Sequence, residues 1–418
     1  MDYQGYPRHD VFCIDMRSFY ASVECMKRGV DPQTSLLAVV GDPNRNGSIV
    51  LAASPALKKQ HGVSNVSRYF ELPNDPNLII AKAHMGDYVM VSLEITKLML
   101  RFVPKEAIHV YSVDEIWITV DGLRKLYGTP YEIAQKVQES IRELFGIESV
   151  IGIGENKFLA KVVMDLHAKK AEDGISECRY EDVERLLWPV ALEEVWGIGS
   201  RMMRNLNRMG MSNLGDLANH SLPHLKKRFG IMGEQLYWHA WGIDLSPVTG
   251  NFTKTEQKGY GHGITLLRDY SKEEIYACLL DLCEEACRRA RKDERLGRTI
   301  HLAIGYSSEF AKGFSRSISV DVPTNDTLEV YEVCLQLFHR FYSEGYSIRK
   351  ASMSLTNLSE EAGTQLSLWN DRSKYRDLYR VMDEVKDRFG STALLRASSY
   401  TSGGIAVERG KKIGGHYA

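Results

Sequence analysis

Three acidic residues stand where apolar runs end. Asp15 closes the run Val11-Phe12-Cys13-Ile14, and Asp114-Glu115 occupies the bend between two further runs, Ile108 to Ser112 and Ile116 to Val120. Strand ends on one sheet can bring such carboxylates within a few ångströms of each other, where they either share protons or bind a hard divalent cation. Magnesium takes carboxylate and phosphate oxygens at about 2.1 Å. A pair of such ions can clamp the attacking and leaving oxygens of an in-line displacement at phosphorus. Acids at turns are common and usually just solvated, so an isolated Asp-Glu pair would not carry this reading. The residues flanking these two sites must carry it.

The elements that would position the acids alternate as in an α+β sheet domain. The strand ending at Asp15 gives way to a helix with Ser18 as its N-cap, Phe19, Val23 and Met26 at helical spacing and Gly29 as its close. Strands are expected at Leu36–Val40, Ile49–Ala53 and Leu78–Ala81, with a short helix between the last two that Ser54 and Pro55 open and Gly62 stops. The stripe Tyr88, Val91, Ile95, Leu98 and Phe102 predicts a long helix. Thr129-Pro130-Tyr131-Glu132 reads as a capping box, and Val150–Ile153 as a strand running into a helix over Lys157–His167. From Val183 to Asp244 the pattern turns all-helical, and Ser246–Lys258 reads as a linker. Beyond it, strands (Arg298–Tyr306, Phe314–Val320) alternate with helices (Lys272–Lys292, Leu328–Glu344) up to Asn357. The tail 358–418 holds one helix, Lys374–Phe389.

A chain of 418 residues is too long for one core and should split into roughly three or four units. Its 44% hydrophobic and 26% charged content is that of a soluble globular protein, without the run of about 20 apolar residues that a membrane span needs. The first ten residues lack the features of a secretory signal, so a cytoplasmic location is expected. Seven cysteines without a CxxC pair fit reduced thiols, with Cys283 and Cys287 one turn apart in a helix core. The net charge of -1 gives no global nucleic-acid signature, so any grip on DNA must come from local clustering.

The strings FCIDMRSFYASVE (Phe12 to Glu24) and YSVDEIWI (Tyr111 to Ile118) resemble the two palm signatures of Y-family translesion DNA polymerases, and the resemblance runs on through GIGENKFLAK and VWGIG to about Asn357. It is nearest the branch containing the polymerase V catalytic subunit. The resemblance implies that Asp15, Asp114, Glu115 and the backbone carbonyl of Met16 hold two magnesium ions. It makes Tyr20 the steric gate against ribonucleotides and Phe19 its neighbour in the nucleotide pocket. Lys59 matches the basic fingers residue on the triphosphate, and Lys169 the palm lysine; Lys169 and Lys170 cannot be separated, because the family's Lys-Pro-Asn-Gly pattern is replaced by Lys-Lys-Ala-Glu-Asp-Gly. Two further departures concern the triphosphate contacts. Ala56 stands where many relatives keep a Tyr, and Arg17 where an acid or Asn is common.

Val195-Trp196-Gly197-Ile198-Gly199 followed by Arg201, Arg204 and Arg208 resembles a helix-hairpin-helix, in which Gly197, Gly199 and Arg201 would meet a DNA phosphate. Lys226-Lys227-Arg228 is either another phosphate contact or a solvated helix face. The third domain matches the family's little finger, which lies across the DNA opposite the thumb, with Arg316 a candidate DNA contact. Its basic cluster Arg288 to Arg298 could equally be salt-bridged, since Glu284, Glu285, Asp293 and Glu294 are interleaved. Gln365-Leu366-Ser367-Leu368-Trp369 resembles the peptide with which bacterial polymerases bind the sliding clamp, with Gln365, Leu366, Leu368 and Trp369 the matching residues.

The expected architecture is therefore α+β and multidomain, a right hand with a ferredoxin-like palm (1–27 and 83–181), inserted fingers (28–82), a helix-hairpin-helix thumb (182–245), a linker (246–258), a little finger (259–357) and a tail. The expected function is error-prone, template-directed DNA synthesis by a monomer in DNA repair and the SOS response. Primer-template DNA, deoxynucleoside triphosphates and the clamp are its partners, no proofreading site is visible, and a recombinase filament is left open. The rivals are a nucleotide cyclase on a similar sheet and a non-catalytic clamp-binding scaffold.

Overall fold

The computed structural model describes residues 1–248, 257–307, 312–361, 373–414 and 416–417. The chain divides near residue 254 into two compact units.

In the first unit, β1 (Val11–Met16) lies at the centre of a sheet. The chain then forms β2 (Leu37–Val40), β3 (Val50–Ala53) and β4 (Ile79–Lys82), a separate three-stranded sheet in the order β3-β2-β4. It returns to the main sheet with β5 (Ile108–Val110), β6 (Glu115–Thr119), β7 (Ser149–Gly154) and β8 (Ile175–Cys178), in the order β5-β6-β1-β7-β8. Side chains of a strand alternate between faces. Phe12, Ile14 and Met16 thus join Tyr88, Ile95, Ile133 and Val137 from two covering helices in one buried core, while Val11 and Cys13 join Trp117, Ala160 and Met164 on the opposite face. Asp15 follows Cys13 on that second face, and its antiparallel partner in β6 is Glu115.

Several helix ends follow the local chemistry read from the sequence. Ser54 accepts a hydrogen bond from the Leu57 amide at 3.2 Å, and Gly62 ends that helix in the left-handed conformation. Thr129 and Glu132 form the reciprocal capping box ahead of the helix Pro130–Phe145. Ser18 departs from expectation. It sits at φ 49°, ψ 41° and caps nothing with its side chain, because the chain must turn from strand to helix within two residues of Met16. Its hydroxyl instead accepts from Lys58 Nζ at 3.0 Å. The helix after β7 also differs. It runs as α over Lys157–Val163 and as a wider π turn over Met164–Ala168.

The small sheet has its own core of Leu36, Ala38, Val40, Val50, Ala53, Ala56 and Leu57. The stretch after residue 183 forms short helices around Leu206, Leu214, Leu217, Leu225 and Leu236.

The second unit is a four-stranded antiparallel sheet of β9 (Gly259–Tyr270), β10 (Arg295–Tyr306), β11 (Phe314–Thr324) and β12 (Ile348–Glu360), in the order β11-β10-β12-β9. Helices Glu274–Lys292 and Thr327–Phe341 cover one face, closing Leu279, Leu282, Cys283, Val330 and Leu337 onto Ile300, Leu302, Met353 and Leu355. The segment read from sequence as a tail packs onto this unit. Helix Ser373–Phe389 buries Tyr379 and Met382, and Ile405 is buried in the same core. The docking is ionic as well as apolar. Glu284, buried, accepts from Lys386 Nζ and Arg396 Nε, both at 3.0 Å, while Asp281 accepts from Ser399 Oγ at 2.5 Å and the Ile405 amide at 2.8 Å.

Burial alone would raise the Glu284 carboxyl, but Lys386 and Arg396 outweigh it and hold the group below the usual range. A depressed carboxylate contributes stability that is present above the unfolded value near about 4.3 and is lost as pH falls below it. Glu284→Gln should therefore cost about 3 kcal/mol at pH 7, since the buried Lys386 and the half-buried Arg396 lose their anionic partner. The deficit should shrink toward pH 3. Hydrogen exchange of helix Ser373–Phe389 in parent and variant across this range checks both statements.

Candidate functional site

The pairing of β1 with β6 brings the sequence-distant acids together. Asp15 and Glu115 are register partners, and the Met16 amide donates to the Asp114 carbonyl at 3.0 Å. The bend is closed by the amides of Tyr111 and Ser112, which donate to the Glu115 carbonyl at 3.0 and 3.1 Å, while Ser112 Oγ donates to Asp114 Oδ1 at 2.6 Å. Burial pushes the Asp15 carboxyl up to about 6, against the opposing charge of Lys169, with Asp114 and Glu115 adding to the rise. Asp15 thus feels the charge of both other acids.

Lysines answer that charge. Lys169 Nζ lies 3.2 Å from Asp15 Oδ2 and 2.7 Å from Asp165 Oδ1. Lys161, buried, donates to Glu115 Oε2 at 2.7 Å and lies 3.1 Å from Asp165. Burial lowers the Lys161 ammonium, but the Glu115 hydrogen bond and the neighbouring acids overcome it and the net shift is upward. The π turn helps to align this row: the Lys169 amide bonds back to the Met164 carbonyl at 3.1 Å, and Lys161, Asp165 and Lys169 meet on one side. Gly152 lets the helix approach, because a Cβ there would stand 2.1 Å from the Ala160 carbonyl oxygen.

In front of Asp15 and Asp114 lies a cavity of about 470 Å³, lined also by Met16, Arg17, Tyr20, Lys58 and Lys169. Tyr20 stacks on the buried Tyr88 ring, with centroids 4.5 Å apart and planes 15° from parallel. Phe19 is buried in the core beside it, although it too borders the cavity. Lys58 borders the cavity, whereas Lys59, one residue on, is exposed and is not among the lining residues. Lys169 faces the acids, and Lys170 is not among the lining residues. Glu115 is turned toward Lys161 behind the cavity wall, and among the described residues no three His, Cys, Asp or Glu side chains stand ready as a metal cage. The donors that do face the cavity are hard oxygens, and burial beside like charges is a state that a divalent cation would relieve. The chemistry of the donor set fits magnesium.

Two further surfaces are distinguished by the side chains they carry. Gly197, at φ 90°, turns the hairpin, Gly199 caps the helix Ser200–Asn207, and a Cβ on either glycine would meet nothing within 4 Å. Arg201, Arg204 and Arg208 are exposed along that helix and its end and make no ion pair among the described residues. Lys226, by contrast, pairs with Glu234 at 2.9 Å. In the second unit, the sheet face away from the helices is almost free of large side chains. Gly259, Gly261 and Gly263 of β9 stand opposite Thr356, Ser354 and Ser352 of β12, and Ser315, Ser317 and Ser319 of β11 opposite Ala303, His301 and Thr299 of β10. Arg316 points the other way, sharing a register position with the buried Leu302 and lying 5.2 Å over the Phe341 ring. Arg288 and Arg291 are paired internally with Asp387 and Asp383, each at 2.7 Å, so the salt-bridged alternative holds for both.

A family model described as impB/mucB/samB matches residues 14–165, the model of that family's C-terminal domain matches 257–368, and a DNA polymerase iota thumb-domain model matches 193–244. A putative UV-damage repair protein, UvrX, of Bacillus subtilis is 48% identical, over 100% of this chain and 99% of its own length. DNA polymerase IV 2 of Halalkalibacterium halodurans is 42% identical over 97% of this chain and 99% of its own. This chain belongs to the Y family of DNA polymerases. A solved Y-family DNA polymerase chimera shares its fold, with a TM-score of 0.62 over 83% of this chain and 98% of that one at 22% identity.

The sequence alone does not single out Lys58, Lys161 or Asp165. A cation set among Ala160, Val162 and Val163 was the available signal for Lys161, since lysines are almost never fully buried unless paired. The period-two glycines of Gly259-Tyr260-Gly261-His262-Gly263 and serines of Ser315-Arg316-Ser317-Ile318-Ser319 were the signal for the smooth sheet face. The clamp-like residues Gln365, Leu366, Leu368 and Trp369 lie outside the described residues. Lys161→Met should destabilise the first unit by about 3 kcal/mol, because Glu115 would remain buried without its cation. Urea unfolding followed by hydrogen exchange of β6 checks this.

Proposed function

We propose that this chain is a template-directed DNA polymerase that extends primers past damaged template bases by two-metal nucleotidyl transfer, without proofreading, as part of the SOS response. The observation that carries the reading is the single cavity shared by Asp15, Asp114, Tyr20, Lys58 and Lys169. Asp15, Asp114 and Glu115, with the Met16 carbonyl, would hold two magnesium ions. When bound, these supply charge neutralisation at the reacting phosphate and ease loss of the attacking hydroxyl's proton.

The chain's own residues do the rest. Lys58, Lys169 and Arg17 place cationic groups where an incoming triphosphate needs them, because charge spreads over the phosphoryl oxygens as the bond to the α-phosphorus forms. The Tyr20 ring, backed by Tyr88, occupies the space that a 2′-hydroxyl would need. Arg201, Arg204 and Arg208 with the Gly197–Gly199 turn hold the duplex backbone without reading sequence. The uncovered sheet of the second unit offers backbone and hydroxyl groups to the same backbone. The fingers region is a three-stranded sheet with one seven-residue helix, too small to close tightly on a base pair, which favours damaged templates at the expense of accuracy. Gln365–Trp369 would dock on the sliding clamp.

Primer extension on an undamaged and an abasic template decides the activity. Asp114→Asn should lower extension at least about a hundredfold while DNA affinity stays within about twofold; equal extension by parent and variant would favour the scaffold reading. Tyr20→Ala should admit ribonucleotides, and an unchanged sugar preference would remove it from that role. Lys58→Ala should reduce kcat/KM for the nucleotide about tenfold, and Lys59→Ala should leave it within about twofold.

A further inference from the structure

The hairpin that carries Gly197 and Gly199 is joined to the acid-bearing bend by aromatic rings. Trp196 immediately precedes Gly197 and lies edge-on to Trp117 of β6, with centroids 6.0 Å apart and planes at 65°. Tyr111 closes the triangle, 4.8 Å from Trp117 and 6.2 Å from Trp196, again edge to face. Tyr111 and Trp117 belong to the acid-bearing bend, and Trp196 to the hairpin. Trp117 is two residues from Glu115, and the Tyr111 amide donates to the Glu115 carbonyl, so the rings flank the loop that holds Asp114. Trp117 is buried beside Val11, Cys13 and Ala160, and its indole N–H has no partner among the described residues, so apolar packing and ring contacts hold its side chain. Trp196 also packs on the apolar layer of Cys13, Ala160, Met164 and Ala168, the layer immediately behind Asp15, Lys161 and Lys169. Edge-to-face pairs are directional, and each adds to simple area burial.

From this geometry we infer that Trp196 is a positioning residue, which sets the hairpin's phosphate grip at a defined place relative to Asp114 and Glu115. The inference rests on the polymerase reading and adds a specific division of labour to it. The hairpin's arginines supply affinity for DNA. Trp196 determines whether the bound primer end stands where the acids can act on it. Its loss should therefore appear in the rate of nucleotide addition and leave the affinity of binding unchanged.

Single-turnover primer extension by Trp196→Leu, Trp196→Phe and the parent tests this, with DNA affinity measured in parallel. Trp196→Leu should slow nucleotide addition about tenfold with DNA affinity within about twofold, and Trp196→Phe, which keeps an edge-to-face ring, should recover most of the rate. A leucine variant that loses affinity and keeps its rate would overturn the inference, as would leucine and phenylalanine variants that behave alike. Hydrogen exchange at the amides of Tyr111 and Ser112 gives a second readout that needs no activity. Faster exchange in Trp196→Leu alone is expected, and unchanged exchange overturns the coupling even if the parent proves inactive as a polymerase, a result that would sink the functional reading separately.

Discussion

Like charges packed at strand ends cannot persist without counter-charge, and most of the first unit's architecture around the site follows from that constraint. Asp15, Asp114 and Glu115 are brought together by the pairing of β1 with β6, and burial makes their mutual repulsion expensive. The answer is a row of alternating charge, Glu115–Lys161–Asp165–Lys169–Asp15, laid along one helix. That row demands a helix close enough to the sheet for lysine side chains to reach the acids. Gly152 permits the approach, and a π turn at Met164–Ala168 helps to bring Lys169 back over Asp15. Removing bulk from a strand and distorting a helix both cost stability, and here both serve the same electrostatic requirement.

Lysines that balance the acids are also groups that a substrate could recruit. A nucleotide carrying its own phosphates, together with divalent cations, would supply a different set of counter-charges. Lys169 is the more exposed of the two lysines, with 42% of its side chain accessible beside Asp15. Lys161 is enclosed with Glu115, at 7%, and lies at the other end of the row.

Much of this arrangement was legible before the structure. The apolar runs that end at Asp15 and flank Asp114-Glu115 are short and unbroken, as strands buried on both faces must be, so the acids stand out at their ends. The capping box at Thr129 and the caps at Ser54 and Gly62 were equally plain, because their partners are local in sequence. What escaped depends on distant partners. Ser18 looks like an N-cap, yet the tight turn from strand to helix puts it in the left-handed region and gives its hydroxyl to Lys58. On a helix as short as Pro55–His61 a shift of one residue rotates the side chain by about 100°, so sequence matching selects Lys59 where the fold turns Lys58 to the cavity. The segment after 373 looks like a polar tail, since its buried Lys386 and half-buried Arg396 are neutralised by Glu284 about a hundred residues away.

A net charge of -1 leaves any hold on a polyanion to where individual arginines are placed and what they pair with. In the second unit, Arg288 and Arg291 are spent on Asp387 and Asp383, and Arg316 lies over an aromatic ring on the helix side of the sheet. The uncovered face carries mostly glycine, serine and threonine, with Ala303, His301 and Lys350 among them. On the hairpin the reverse holds, with Arg201, Arg204 and Arg208 exposed and without an ion pair among the described residues, beside a turn whose Trp196 ring packs on Trp117. Cationic groups therefore stay uncompensated on the hairpin, within the same unit as the acids, and are neutralised or turned inward at the positions named in the second unit.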